Sequence, residues 1–366
     1  MDLFSLLFKA YMFIITVSIS NLWRDLLNLV WNRGEVCFED IGCFANDERN
    51  KCNQLFVLPY SPKEMGASFY IYTPENANGT LPQYIDYFNM SSMAELNLNA
   101  RRPLFVIVHG FSQVFPFGKF LRPLKDVLVD KGNNVLIINW IVGVDYPNYY
   151  QAASNSRTVG GMLANVLTFL ELYEKANLDN TTIIGYSLGV HVAAFAGKAL
   201  VAVATPVKSI VGLDPSNWRF TGTSAECRLE PGDAQFVQVI HTNGGHSDGK
   251  EYASIQPMGH ADFYVNGGRW QKACLFASSE NKCSHDLSYV YYIESIRSSG
   301  NHHGCKFTAF PCESEEDWKN GRCFQCYSNN THGGCPYLGY ETSMDTRGTF
   351  YVDTLSENKT HGRYCG

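Results

Sequence analysis

"TTIIGYSLGVHVAAFAGKAL", residues 181–200, is the stretch on which the reading of this chain turns. The β-branched residues Thr181 to Ile184 favour a strand, and the alanine-rich run after Gly189 favours a helix. Between them stands Gly185-Tyr186-Ser187-Leu188-Gly189. A G-x-S-x-G pentapeptide alone is a weak signal. A strand running in and a helix running out supply the context that a nucleophile elbow requires. The serine then sits on a sharp turn with its hydroxyl above the sheet, and the N–H of Leu188 points at a developing oxyanion. The flanking glycines let strand and helix pack closely. The competing reading is a plain strand-to-helix turn with an inert serine.

Working outward, short apolar runs at Leu104–Val108, Val135–Trp140, Thr182–Gly185 and Ser209–Leu213 read as buried strands. Helical stretches at Phe120–Asp130, Val159–Lys175 and Val190–Val203 lie between or after them, and Phe236–His241 and Ala261–Val265 read as later strands. Continuous apolar strands alternating with helices predict an α/β fold with a mostly parallel sheet covered on both faces. From about residue 267 the chain is rich in Cys, Gly, Asn and Ser, which predicts a loop-rich part stapled by disulfides.

A serine nucleophile needs a base, and the base needs an orienting acid. In a sheet of this kind both follow the serine in the chain. Asp214 ends the apolar run Val211-Gly212-Leu213 and is the candidate acid; the alternative is a helix cap before Pro215. Ten histidines compete for the base. His109, His241 and His260 lie near strand ends, and His302-His303 lies in a polar loop. His285, between the Cys274–Cys283 segment and Tyr289-Val290-Tyr291-Tyr292-Ile293, is the best-placed late histidine. The second oxyanion N–H comes from the loop after an earlier strand. Leu104–Val108 followed by His109-Gly110-Phe111 fits, with Phe111 as donor, and His109 reads as a structural hydrogen-bonding residue.

The whole chain sets the compartment. Its 366 residues, 45% hydrophobic and 14% aromatic, suit one sizeable domain, residues 21–366. A net charge of −6 without basic blocks argues against nucleic acid. Residues 1–20 read as a signal peptide, with the apolar run Ala10–Ile19 after Lys9 and a small-residue cleavage site near Ser20. All twelve cysteines follow it, an even number that suits an oxidising compartment. Zinc would rest on Cys323-x-x-Cys326 alone, with no second pair of matching spacing. Sequons at Asn78, Asn89, Asn180, Asn329 and Asn358 fit the same secretory route.

These residues together resemble the pancreatic lipase family of the α/β-hydrolase fold. The motifs that carry the resemblance run from about Cys37 to Tyr351. They include Val36-Cys-Phe-Glu-Asp-Ile-Gly-Cys43, Val108-His-Gly-Phe111, Gly185-Tyr-Ser-Leu-Gly189, Gly212-Leu-Asp-Pro215, Val239-Ile-His-Thr242, Gly259-His-Ala-Asp-Phe263 and Cys283-Ser-His285. The resemblance implies Ser187 as nucleophile, Asp214 as acid, His285 as base, and Phe111 and Leu188 as oxyanion-hole amides. It implies disulfides Cys37–Cys43, Cys274–Cys283, Cys312–Cys323 and Cys326–Cys335, leaving Cys52, Cys227, Cys305 and Cys365 without an assigned pairing. It also implies a structural calcium site, with the carbonyl of Arg228 and the carboxylates of Glu230 and Asp233 as ligands. This chain has Glu230 where the family often has Asp and Ala225 where Glu is common. A solvated acidic loop is the alternative.

Departures from the family bear on the substrate. The chain stops soon after Gly348-Thr-Phe-Tyr-Val, where the vertebrate digestive enzymes continue into a β-sandwich that binds colipase, so no colipase-type partner is expected. Only Leu275 to Lys282, eight residues, separate Cys274 from Cys283, whereas triacylglycerol lipases of the family carry a much longer lid. The loop from Thr242 to Gly259 is polar and longer than in venom-type phospholipases. The expectation is a secreted hydrolase acting on phospholipid or glyceride at a lipid surface, foremost as a phospholipase A1. The alternatives are a triacylglycerol lipase, a catalytically silent lipid-binding protein on the same fold, and a small-ester carboxylesterase.

Overall fold

The structure, a computed structural model, describes residues 34–46, 52, 57–76, 82–111, 120–245, 251–300, 306–323, 326 and 334–354. The expected signal peptide, residues 1–20, lies outside them. Ten described strands form one sheet. In chain order they are β1 (Ser68–Tyr72), β2 (Gln83–Ile85), β3 (Leu104–Val108), β4 (Asn134–Asn139), β5 (Thr181–Tyr186), β6 (Ser209–Leu213), β7 (Phe236–His241), β8 (Ala261–Val265), β9 (Phe310–Pro311) and β10 (Gly348–Val352). The spatial order is β9-β10-β8-β7-β6-β5-β3-β4-β1-β2. Every pairing from β10 to β4 is parallel, and the antiparallel ones lie at the edges. This is an α/β-hydrolase fold.

The strands read as continuous apolar runs because both faces are covered. All five residues of β3 are buried. Val106 and Val108 pack into one cluster with helices α2 (Tyr149–Leu172) and α3 (Gly189–Ala202). Phe105 and Ile107 pack into the other with α1 (Leu121–Asp130) and α4 (Glu280–Ser298). Each buried Val, Leu or Ile contributes about 1.5–3 kcal/mol, so the middle of the sheet is the rigid part, and its carboxyl edge offers a fixed platform.

Two expectations need correction. Helix α2 begins at Tyr149, ten residues before Val159. Its first turns hide their period because buried polar side chains find partners outside the helix. Gln151 Nε2 donates to Leu58 O (3.0 Å) and Asn155 Nδ2 to Gly143 O (2.7 Å). Beyond residue 267 the chain is not only loop: it contributes α4 and the interior strand β10. The serines of α4 blurred its apolar face, yet Ser288 Oγ donates to His285 O (2.9 Å) and Ser295 Oγ to Tyr292 O (2.6 Å). Both serines are thereby buried without unpaired hydroxyls.

Disulfides join Cys37–Cys43, Cys274–Cys283, Cys312–Cys323 and Cys326–Cys335. Cys323 and Cys326 have different partners, which removes the zinc reading. Cys52 pairs with Cys227 across 175 positions, a closure worth about 5 kcal/mol in the chain-entropy picture. Cys305 and Cys365 lie outside the described residues. So do Asn78, Asn329 and Asn358; Asn89 is exposed and Asn180 half-buried. Among the described residues no helix is long and apolar enough to cross a membrane.

Candidate active site

Strand register brings the candidate residues together. Tyr186 pairs with Leu213, and Leu213 with Ile240, so Ser187, Asp214 and His241 leave three adjacent strands at one level. Ser187 has φ +56°, a left-handed conformation that L-residues rarely adopt, and its N–H donates to Leu213 O (2.9 Å). Two glycines make this turn possible. A Cβ on Gly185 would stand 2.5 Å from Gly189 O, and one on Gly189 would stand 2.3 Å from Val108 O. Helix α3 therefore starts against both its own strand and β3.

Asp214, also at positive φ (+50°), is fully buried. Its Oδ1 accepts the N–H groups of Thr242 (2.7 Å) and Asn243 (3.0 Å), and its Oδ2 stands 2.6 Å from His285 Nδ1. Two backbone donors and the imidazole Nδ1 thus hold the Asp214 carboxyl in one orientation. This leaves the other ring nitrogen of His285 for the cavity that His285 and Ser187 both line. Asp214 is thus no helix cap. Helix α4, capped by Ser279 accepting from Lys282 N (3.3 Å), delivers His285 in its second turn.

Gly110 brings the backbone of the β3 loop alongside the serine turn. A Cβ there would lie 2.8 Å from both Ser187 Cβ and Tyr186 O, and 3.4 Å from Leu188 N. The residue before Phe111 therefore packs against both Ser187 and Leu188.

The remaining histidines are engaged elsewhere. His109 Nδ1 lies 3.0 Å from Gly110 O, and its Nε2 accepts from Trp140 N (3.1 Å). Burial lowers its pKa to about 4, so it is a neutral structural group. His260 Nδ1 accepts from Val237 N (3.0 Å). His302 and His303 lie outside the described residues. His241 is sealed in the interior: its Nδ1 lies 2.9 Å from Ser254 O, and its Nε2 lies 2.9 Å from Asp262 Oδ1.

The cavity has a volume of about 420 Å³. Phe111, Tyr149, Trp218 and Tyr252 give it aromatic walls, and Glu251 and Lys282 bring one charge of each sign. Beside it, residues 275–282 are tied by the Cys274–Cys283 disulfide. Leu275 and Phe276 are exposed, Phe276 completely. Residues 280–282 already belong to α4, so the part of the segment outside the helix is shorter still than its cysteine spacing suggests.

The residues offered for calcium do not form its cage. Lys198 of α3 places its ammonium 3.0 Å from Glu230 Oε1 and 2.5 Å from Asp233 Oδ1. Ala225 supplies no side-chain oxygen, and Asp233 Oδ2 accepts the Glu230 N–H (3.0 Å). Calcium asks for six to eight oxygens, and the two carboxylates are instead spent on a lysine. Alternating patterns and motifs carry no trace of this contact, because Lys198 reads as an ordinary helix residue.

Other partners also escaped sequence reading. Tyr186 packs at a tilt against His285 (4.8 Å between ring centres) and donates to Asp286 Oδ1 (2.7 Å), whose Oδ2 Lys282 holds. Asp286 directly follows His285, so Tyr186 braces the residue next to the ring-bearing one. Thr242 and Asn243 act through backbone N–H groups, for which side-chain identity gives no signal.

A strained serine after a parallel strand, a buried aspartate after the next strand, and a histidine bonded to that aspartate define the site architecture of an α/β-hydrolase. A model of the family described as Lipase matches residues 34–359. Pancreatic triacylglycerol lipase of Homo sapiens is 32% identical over 349 residues, covering 87% of this chain and 71% of that protein. Pancreatic lipase-related protein 2 of Bos taurus is 33% identical over 93% of this chain and 75% of that protein. Inactive pancreatic lipase-related protein 1 of Homo sapiens is 33% identical over 84% of this chain, which spans 66% of its length. The chain belongs to the pancreatic lipase family.

Proposed function

We propose that the protein is a secreted lipid ester hydrolase, and specifically a phospholipase A1 that releases the sn-1 fatty acid. The ester carbonyl enters the cavity beside Ser187. His285 takes the serine proton as Oγ attacks, and Asp214 steadies the imidazolium. The Phe111 and Leu188 amides receive the oxyanion, each such donor contributing about 3–4 kcal/mol to the barrier reduction. His285 then protonates the leaving lysolipid oxygen, and a water activated by the same ring releases the fatty acid.

The observation that carries the choice of phospholipid is the lid segment. Residues 275–282 are too few to roof the 420 Å³ cavity, and their last turn is fixed in the helix that bears His285. A site with little lid offers little apolar surface to an oil droplet. The rim charges of Glu251 and Lys282, next to the half-exposed faces of Trp218 and Tyr252, suit a charged headgroup. The disulfides favour an oxidising compartment, and five sequons favour secretion.

The test is product analysis by mass spectrometry on phosphatidylcholine, phosphatidylserine and triolein, with a Ser187→Ala control. Serine-dependent 2-acyl lysophospholipid with little release from triolein is the expected result. Release from triolein alone makes the protein a triacylglycerol lipase. Silence on all three, together with silence on small soluble esters, makes it a lipid-binding relative.

A further inference from the structure

The contact between Lys198 and the paired carboxylates has a consequence of its own. Asp233 is buried, Glu230 is half-buried, and both point at one ammonium. Two carboxylates held this close repel unless a cation lies between them. The lysine is that cation. Arg228 adds further positive charge to the same loop, its Nη1 donating to Leu229 O (2.9 Å) and its Nε to Thr223 O (3.3 Å). A divalent ion entering here would meet Lys198 at its ligands and Arg228 beside them.

The location matters. Lys198 stands on α3, the helix that begins at the Ser187 turn. Asp233 lies just before β7, the strand that leads into Thr242 and Asn243, whose N–H groups hold Asp214. Helix and loop are pressed together, since a Cβ on Gly197 would stand 2.3 Å from Asp233 O. The ion triangle therefore clamps the nucleophile's helix to the support of the acid.

We propose that Lys198 is a covalently tethered replacement for a structural calcium ion. It neutralises Glu230 and Asp233 and locks α3 to the start of β7 with no metal.

Thermal melting of the purified full chain in excess Ca²⁺ and in excess EGTA, with calorimetric titration of Ca²⁺, tests this. The wild type is expected to melt at one temperature in both and to take up no stoichiometric calcium. Lys198→Met removes the cation, and its melting point in EGTA should fall on the order of 5 °C, as for a buried pair that loses a partner. Calcium should then restore part of the loss, because the freed carboxylates become available. A wild type that binds Ca²⁺ stoichiometrically, or that EGTA destabilises, overturns the proposal. If Lys198→Met does not fold, Lys198→Arg decides: it should fold and ignore calcium, and calcium dependence in it would count against the proposal. These readouts are independent of which ester the protein cleaves.

Discussion

The described residues hold two buried histidine–carboxylate pairs. In each, an aspartate accepts two backbone N–H groups and meets one imidazole nitrogen: Asp214 with Thr242, Asn243 and His285, and Asp262 with Met258, Gly259 and His241. The pairs differ at the second nitrogen. That of His285 is left to the cavity it shares with Ser187, whereas that of His241 faces Ser254 O, which can only accept. Both ring nitrogens of His241 are thus occupied by oxygens of the interior, Ser254 O and Asp262 Oδ1. A base needs a nitrogen with nothing else to do. The same residue types make a reactive site in one place and a structural joint in the other.

The largest expected effect separates the pairs by kinetics. Asp214→Asn should leave the fold in place and lower kcat on the order of 10⁴-fold, because the imidazole then loses its tautomer and its counter-charge. Asp262→Asn should leave kcat of the folded fraction within about tenfold. Kinetics normalised to active, folded protein would check both, and a comparable collapse of kcat in the two variants would break the distinction.

The next effect runs the other way. His241→Ala removes one member of a fully buried pair and should cost about 3–5 kcal/mol of stability. Urea unfolding of the variant would measure it. A loss below about 1 kcal/mol would mean that the pair is dispensable and that His241 has some other purpose.

The contrast also explains what sequence reading can reach. Leu104–Val108, Ser209–Leu213, Phe236–His241 and Ala261–Val265 occupy the residues expected of them, because a strand buried on both faces must be apolar throughout. Ser187 and Asp214 sit at the ends of such strands, so the strands point to them. His285 lies on a helix whose serines and tyrosines blur its period; its place in the chain made it the best late candidate, and the family resemblance singled it out among ten histidines. Asp262, Lys198 and the amides of Thr242 and Asn243 act through contacts between segments far apart in the chain. No local pattern encodes those contacts. The loop offered for calcium shows the same: Glu230 and Asp233 are legible in the sequence, but the lysine that meets them comes from a helix some thirty residues earlier.

The smallest effect concerns acid, and it extends the comparison to histidines that lack a carboxylate altogether. Burial lowers the pKa of His109 to about 4 and that of His191 to about 3, against 6.5 when unfolded. His109 sits between Gly110 O and the Trp140 N–H, and His191 stacks on Phe220 at 3.6 Å with its Nε2 at 3.0 Å from Ser216 O. A second proton on His109 would break the bond from Trp140 N–H, and one on His191 would put a charge in a fully buried site. Between pH 6.5 and the folded pKa, the unfolded chain binds protons that the native one refuses. Their contribution is therefore complete above pH 6.5 and is lost as pH falls. Each costs about 1.4 kcal/mol per pH unit in that window, or about 3 kcal/mol for His109 by pH 4. Urea unfolding free energies from pH 7 to pH 4 should fall steeply, and His109→Asn should flatten the slope by about one proton's worth. An unchanged slope in that variant would place the acid sensitivity elsewhere.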